Sequence, residues 1–295
     1  MATARTDLAV ELREQCEVRK EDGFEESTQT VDGFSVVKVT ISGDAAAKKL
    51  NKEKGHYVTV DLTGAFEDSS RCERAVGLLA REISALLPDS VKTVLVVGLG
   101  NRSLTADALG PKAVQGLIVT HHLKRYSPDV FRSLDLGDVA ALTTGVLGET
   151  GMESAVLVAA AAERCKPDVV VLIDALAARE MKRLCATVQL CDTGLSPGSG
   201  VGNRREPLTR KTLGCAVLSL GIPTVVDAVT LAADLLGENG SHGLQKKLSG
   251  YEKNMIVTPK DVDVLVDKAA KLLSRALNRA LHPNLSEQDV QMLLE

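Results

Sequence analysis

Two aspartates are placed where an apolar strand hands an acid to the edge of a sheet. Thr93–Val97 is an apolar strand followed by a glycine turn, a polar loop and Asp107, four residues before Pro111. Val169–Ile173 is a second apolar strand, and it runs directly onto Asp174 in the phrase IDALAAR. Ligands of open α/β sheets bind beyond the carboxyl ends of the strands, so both acids are expected at one such edge. An acid behind five apolar residues is costly to bury unless it is paired or working. Two close carboxylates do not both ionise readily; one can then act as a base toward water and the other as an acid toward a leaving group. The same oxygens can instead hold a metal ion that activates water. Both chemistries are hydrolytic, and spacing alone leaves both open.

Competing readings are weaker. Asp107 can be read as a cap for the helix opening at Pro111, though its distance makes it a poor one. Asp192 precedes Thr193-Gly194 and reads as a turn residue, while Asp227 reads as part of a helix start facing the same edge. The histidines at 56, 121, 122, 242 and 282 show no metal-ligand spacing, and His121-His122 reads as the end of a helix, favoured by its dipole. No metal and no cofactor is therefore assigned. Gly98-Leu-Gly100 has two glycines of a dinucleotide fingerprint, but Ser103 takes the third place and no ribose-binding acid follows. A nucleotide-binding regulatory module is thus a minor alternative. The loop Gly194–Asn203 offers exposed backbone N–H groups around Gly198, Gly200 and Gly202, and Arg204-Arg205 follows it. That combination can cradle an anion or an extended peptide backbone, which makes these five residues substrate-binding candidates. No Gly-x-Ser-x-Gly elbow or Cys/His nucleophile pattern is present.

The elements that must carry these groups alternate. After Thr93, strands are expected at 93–97, 169–173, 186–191 and 215–220. Helices are expected at 111–124, 154–164, 224–236 and 260–281, with Thr150–Glu153 at capping-box spacing. Continuous apolar strands between helices predict an α/β fold with a mostly parallel central sheet covered on both faces. Upstream, Phe34–Ile41 and Tyr57–Leu62 alternate apolar and polar residues, and a helix is expected over 71–87. Residues 8–90 form an N-terminal β-rich portion packed on the rest, and 8–295 one domain. Gly237–Gly250 reads as a connection.

Composition narrows the partners. The 295 residues are 44% hydrophobic and 25% charged, ordinary for a soluble globular protein. Aromatics make up 2% with no Trp, which leaves an aliphatic core and argues against stacking on single-stranded nucleic acid. A net charge of −4 supplies no broad basic face, so no direct nucleic-acid partner is expected. Six cysteines without a Cys-x-x-Cys pair fit reduced thiols in a cytoplasmic compartment. The polar N-terminus has no signal-peptide core, and no run approaches the roughly 18 apolar residues of a membrane span.

Four phrases in order, GLGNRSLTADALGP, DALAAR, DTGLSPGSGVGNRR and LGIPTVVDAVT, resemble the germination protease (spore protease) of endospore-forming bacteria. The match runs from Arg5–Glu11 to Val257–Lys260 and the last helix. The resemblance implies an endopeptidase that degrades small acid-soluble spore proteins in the forespore or spore core on germination, assembled as a homotetramer. It places the family's catalytic aspartates, an atypical aspartic pair, at Asp107 and Asp174. Thr105-Ala106 stands where relatives often have Thr-Pro. The implied fold is similar to that of the hydrogenase-maturation proteases, a phosphorylase-like three-layer arrangement. The acids equivalent to the pair bind nickel there, which keeps a metal-dependent peptidase as an alternative. The resemblance also implies a self-cleaving zymogen. Family substrates share a site like Thr-Glu-Phe/Ile-Ala-Ser-Glu, cut after the first acid. Thr6-Asp7-Leu8-Ala9-Val10-Glu11 repeats that order, so the bond between Asp7 and Leu8 is the expected cut and residues 1–7 the propeptide.

Overall fold

Runs of Val, Ile and Leu bounded by glycines, prolines and acids build one mixed sheet. The structure, a computed structural model, describes residues 5–198, 205–235 and 255–294. Among them are nine strands: β1 (Phe24–Val31), β2 (Phe34–Ile41), β3 (Gly55–Asp61), β4 (Thr93–Gly98), β5 (Asp138–Thr143), β6 (Val169–Ala178), β7 (Thr187–Cys191), β8 (Ala216–Asp227) and β9 (Ile256–Val257). Their order is β1-β2-β3-β7-β8-β6-β4-β5, with β9 on the end of β8. The block β8-β6-β4-β5 is parallel and holds the continuous apolar strands. The N-terminal strands join the same sheet edge to edge, antiparallel, through β3–β7.

Side chains alternate between faces along each strand. Val94 and Val96 meet one helical layer, formed by Ser69–Leu86, Leu109–Gln115 and Val262–Leu281. Leu95 and Val97 meet the other, where Val158 and Ala162 of helix Ser154–Cys165 lie. Farther along that second face, Ala9 and the helix Asp44–Leu50 cover Val39, Ile41 and Tyr57. The result is a three-layer α/β fold, with helices on both faces of a central sheet.

Three elements differ from the sequence expectation, each through tertiary pairing. β6 does not end at Asp174 but continues to Ala178, because β8 accompanies it that far. β8 itself runs through Pro223 to Asp227, and helical residues begin only at 228. The β6–β8 register shifts between Leu176 and Ala177, so Thr224 has no partner across the ladder. A bulge accommodates the proline, which lacks an N–H, and β-branched Thr224-Val225-Val226 favours extension. The expected helix 111–124 is two shorter ones, Leu109–Gln115 and His121–Tyr126. Asn278 of the long C-terminal helix takes the intervening Ile118 N–H.

Candidate active site

Asp107 reaches the sheet edge through a tight approach of backbone to backbone. The chain leaves β4 through Gly100, whose φ of +109° favours glycine. A Cβ on Gly100 would lie 2.1 Å from the Asp107 carbonyl oxygen, and one on Gly98 would lie 2.4 Å from the Gly110 carbonyl oxygen. The two glycines of the partial fingerprint are thus used for packing the loop onto the helix that follows. Asp107 closes a short 3-10 turn, Thr105–Asp107, and the bulged Thr224 holds that turn by donating its hydroxyl to the Ala106 carbonyl at 2.6 Å. The Asp107 carboxylate faces backward and accepts the Asn101 N–H at 2.8 Å, so it caps no downstream helix. Burial pushes its pKa up, the Asn101 N–H opposes this, and the charge of Glu149 adds to the rise.

Asp174 sits within β6 and is buried. Its carboxylate accepts the N–H of Ala175 at 3.0 Å. Burial drives its pKa well above the usual carboxylate range, and the nearby charges of Asp107 and Asp7 push the same way. Asp174 is the more deeply buried of the two acids, and burial favours its protonated form. Asp174 lines two adjoining clefts. The smaller, about 410 Å³, also holds Asp107. The larger, about 760 Å³, holds Thr6, Asp7, Lys52 and Gln189.

The N-terminal segment lies along this larger cleft like an added strand. The Asp7 N–H donates to the Ala177 carbonyl at 2.9 Å, and the Ala177 N–H donates to the Asp7 carboxylate at 2.9 Å. The Asp7 carbonyl oxygen accepts from Lys52 Nζ at 2.8 Å and from Gln189 Nε2 at 3.0 Å. Leu8 is fully buried against Leu176, Ala178 and Val226, and the Ala9 N–H donates to Gln189 Oε1 at 2.6 Å. Glu11, buried as well, accepts from the N–H groups of Arg179 (2.7 Å) and Glu180 (2.9 Å), and Arg183 lies 3.3 Å away. Burial raises its pKa, while the hydroxyl of Thr6 and these donors oppose the rise.

The other candidates separate. Gly198 and Arg205 line both clefts, and Arg205 pairs with Glu153 at 3.2 Å. Gly200, Gly202, Arg204 and the segment Gly237–Gly250 lie outside the described residues. Asp227 ends β8 and accepts the Thr230 N–H at 2.9 Å and Arg5 at 3.3 Å; it caps the following helical turn and joins neither acid of the pair. Asp192 binds the backbone and ring of His56. His121 opens a helix rather than ending one, and its ring pairs with Asp138 at 2.7 Å. The glutamate at 153, not a side-chain capping box, precedes the helix Ser154–Cys165. For a metal ion, Asp107 and Asp174 would be the oxygen donors. Among the described residues no group of three or more His, Cys, Asp or Glu is arranged to hold one. Lys52 and Gln189 escaped the sequence reading. Gln189 did carry a signal, as the polar centre of the apolar strand Thr-Val-Gln-Leu-Cys, whereas Lys52 is one of several lysines in a charged stretch.

A family model described as germination protease matches residues 2–239. The germination protease of Caldanaerobacter subterraneus subsp. tengcongensis is 40% identical, over 98% of each chain. That of Clostridium acetobutylicum is 38% identical, also over 98% of each. A solved [NiFe] hydrogenase maturation protease, HycI from Thermococcus kodakarensis KOD1, covers 68% of this chain and 98% of its own at 15% identity, with a TM-score of 0.40. The strand order, not that loose likeness, establishes the fold. No described helix is long and apolar enough to cross a membrane.

Proposed function

The chain belongs to the germination protease family, and from that membership we propose a self-cleaving endopeptidase zymogen whose working groups are Asp107 and Asp174. Its substrates are the small acid-soluble spore proteins of the forespore or spore core, and its assembly is a homotetramer. The observation that carries the reading is the position of Thr6 and Asp7, the start of a segment with the order of a substrate site, in the cleft that Asp174 also lines. Asp107, the less buried of the two acids, takes a proton from water as the water oxygen attacks the Asp7 carbonyl carbon. Asp174 gives its proton to the Leu8 nitrogen as the C–N bond breaks. The products are a new carboxylate on Asp7 and a free amine on Leu8. Until that cut the chain's own N-terminus fills the substrate cleft, which accounts for a silent precursor.

The test uses Asp107→Asn and Asp174→Asn. Intact mass reads N-terminal clipping, and incubation with a recombinant small acid-soluble spore protein reads substrate cleavage. Both activities should fall by about 10²–10⁴-fold or more in each variant. A folded variant that keeps either one overturns the pair.

A further inference from the structure

We propose that Lys52 and Gln189 form the electrophilic clamp that polarises the scissile carbonyl and stabilises the oxyanion formed on it. This inference rests on the reading of Asp7–Leu8 as the bond that is cut. Two side chains far apart in sequence converge on one oxygen: Lys52 Nζ stands 2.8 Å and Gln189 Nε2 3.0 Å from the Asp7 carbonyl oxygen. Both are hydrogen bonds to the oxygen on which negative charge builds when the carbonyl carbon becomes tetrahedral, the place where donors stabilise acyl transfer. An oxyanion gains more from these donors than a neutral carbonyl does, because hydrogen bonds to an ionised acceptor are roughly twice as strong.

Gln189 does more than donate. Its amide oxygen accepts the Ala9 N–H at 2.6 Å while its amide nitrogen binds the Asp7 carbonyl, so one side chain straddles the Asp7–Leu8 bond. Gln189 is buried at the centre of β7, with its backbone paired to Gly221 of β8 and to Thr59 of β3. A buried amide with both ends satisfied by the bound segment is a fixed ruler for peptide register. It accepts any residue with a backbone N–H two positions beyond the cut acid, and it rejects proline there. Lys52 supplies the positive charge. It lies just beyond the helix Asp44–Leu50, and its ammonium is 5.9 Å from the centre of the Tyr57 ring. The carboxylate of the cut acid is read separately, by the Ala177 N–H. The clamp and the aspartate pair therefore divide the work: the pair moves protons, while the clamp holds charge on oxygen.

The variants are Lys52→Met, which keeps the stem and removes the charge, Lys52→Arg, and Gln189→Leu. The probe is a synthetic peptide spanning residues 3–14 of this chain, given to the processed enzyme, with products mapped by mass spectrometry. Lys52→Met should lower kcat by about 10²–10³-fold with KM changed far less, and Lys52→Arg should recover a large part of that loss. Gln189→Leu should lower kcat and also raise KM, because it removes the Ala9 contact. A wild-type enzyme that cuts the peptide elsewhere than Asp7–Leu8 overturns the underlying bond assignment. Cutting at Asp7–Leu8 with kcat unchanged in Lys52→Met and Gln189→Leu overturns the clamp alone. Thermal unfolding checks each variant, and a Lys52→Met protein that loses kcat only in proportion to lost folded fraction counts against the clamp.

Discussion

Leu8→Ala, placed in an Asp107→Asn background so that the chain stays whole, should release the N-terminal segment from the cleft without unfolding the sheet. Leu8 is fully buried, and its neighbours are Val10, Leu176, Ala178 and Val226. Truncation to Ala removes three carbons, worth about 0.8 kcal/mol each in transfer free energy, or roughly 2.4 kcal/mol together. The cavity left against β6 and β8 adds to this, for a total of about 3 kcal/mol, at the lower end of measured Leu→Ala costs. Since every 1.4 kcal/mol is tenfold, the undocked population should rise by roughly 10²-fold. Hydrogen exchange reads this directly, because docking protects identifiable amides. The Asp7 N–H is bonded to Ala177, the Ala9 N–H to Gln189, the Ala177 N–H to Asp7, and the Arg179 and Glu180 N–H groups to Glu11. These five should exchange about 10²-fold faster in the double variant than in Asp107→Asn alone, while amides of β4 and the interior half of β6 keep their rates. Unchanged rates at all five would refute the view that Leu8 anchors the segment. Equal acceleration throughout β4 would refute it too, since the loss would then be global.

Two further predictions concern the pair. Asp174 is raised chiefly by burial and then by the charges of Asp107 and Asp7, so the folded state binds a proton that the unfolded state has already lost. Folding stability on that account is highest at low pH and falls as pH rises from the ordinary carboxylate range through the raised value. Asp174→Asn, which cannot ionise, should raise Tm at neutral pH and flatten its fall as pH rises above the ordinary carboxylate range, as read by calorimetry over a pH series; a steeper slope or a lower neutral Tm would contradict the burial argument. Gly100→Ala should displace the loop that carries Asp107, because φ is +109° and the added Cβ would meet the Asp107 carbonyl oxygen at 2.1 Å. Strain alone costs about 1–3 kcal/mol, and cleavage of the peptide should fall much further than folded yield, whereas wild-type turnover would contradict the tight approach.

Residue order alone settled what depends on local chemistry. Unbroken apolar runs in β4 and β6 announced buried parallel strands, and an acid directly after such a run is costly to bury unless paired or working, which made Asp174, with Asp107, a candidate from sequence. The phrase Thr6–Glu11 stood out only through the family resemblance, whose substrate pattern of hydroxyl, acid and apolar residue it repeats. Tertiary structure decided whatever depends on register between distant segments. β6 outlasts Asp174 and β8 outlasts Pro223 because each extends the other across a bulge, and the residue freed by that bulge, Thr224, steadies the Asp107 turn. Asp227, read as a rival acid, became a cap when the strand took its place. Gln189 reaches the Asp7 carbonyl only because β7 lies between β3 and β8, and Lys52 only because the loop after a short helix folds over the same cleft. A strand's composition specifies that it is buried; which side chains meet across it is set by pairings that close long loops, and those are decided by the packing of the whole sheet.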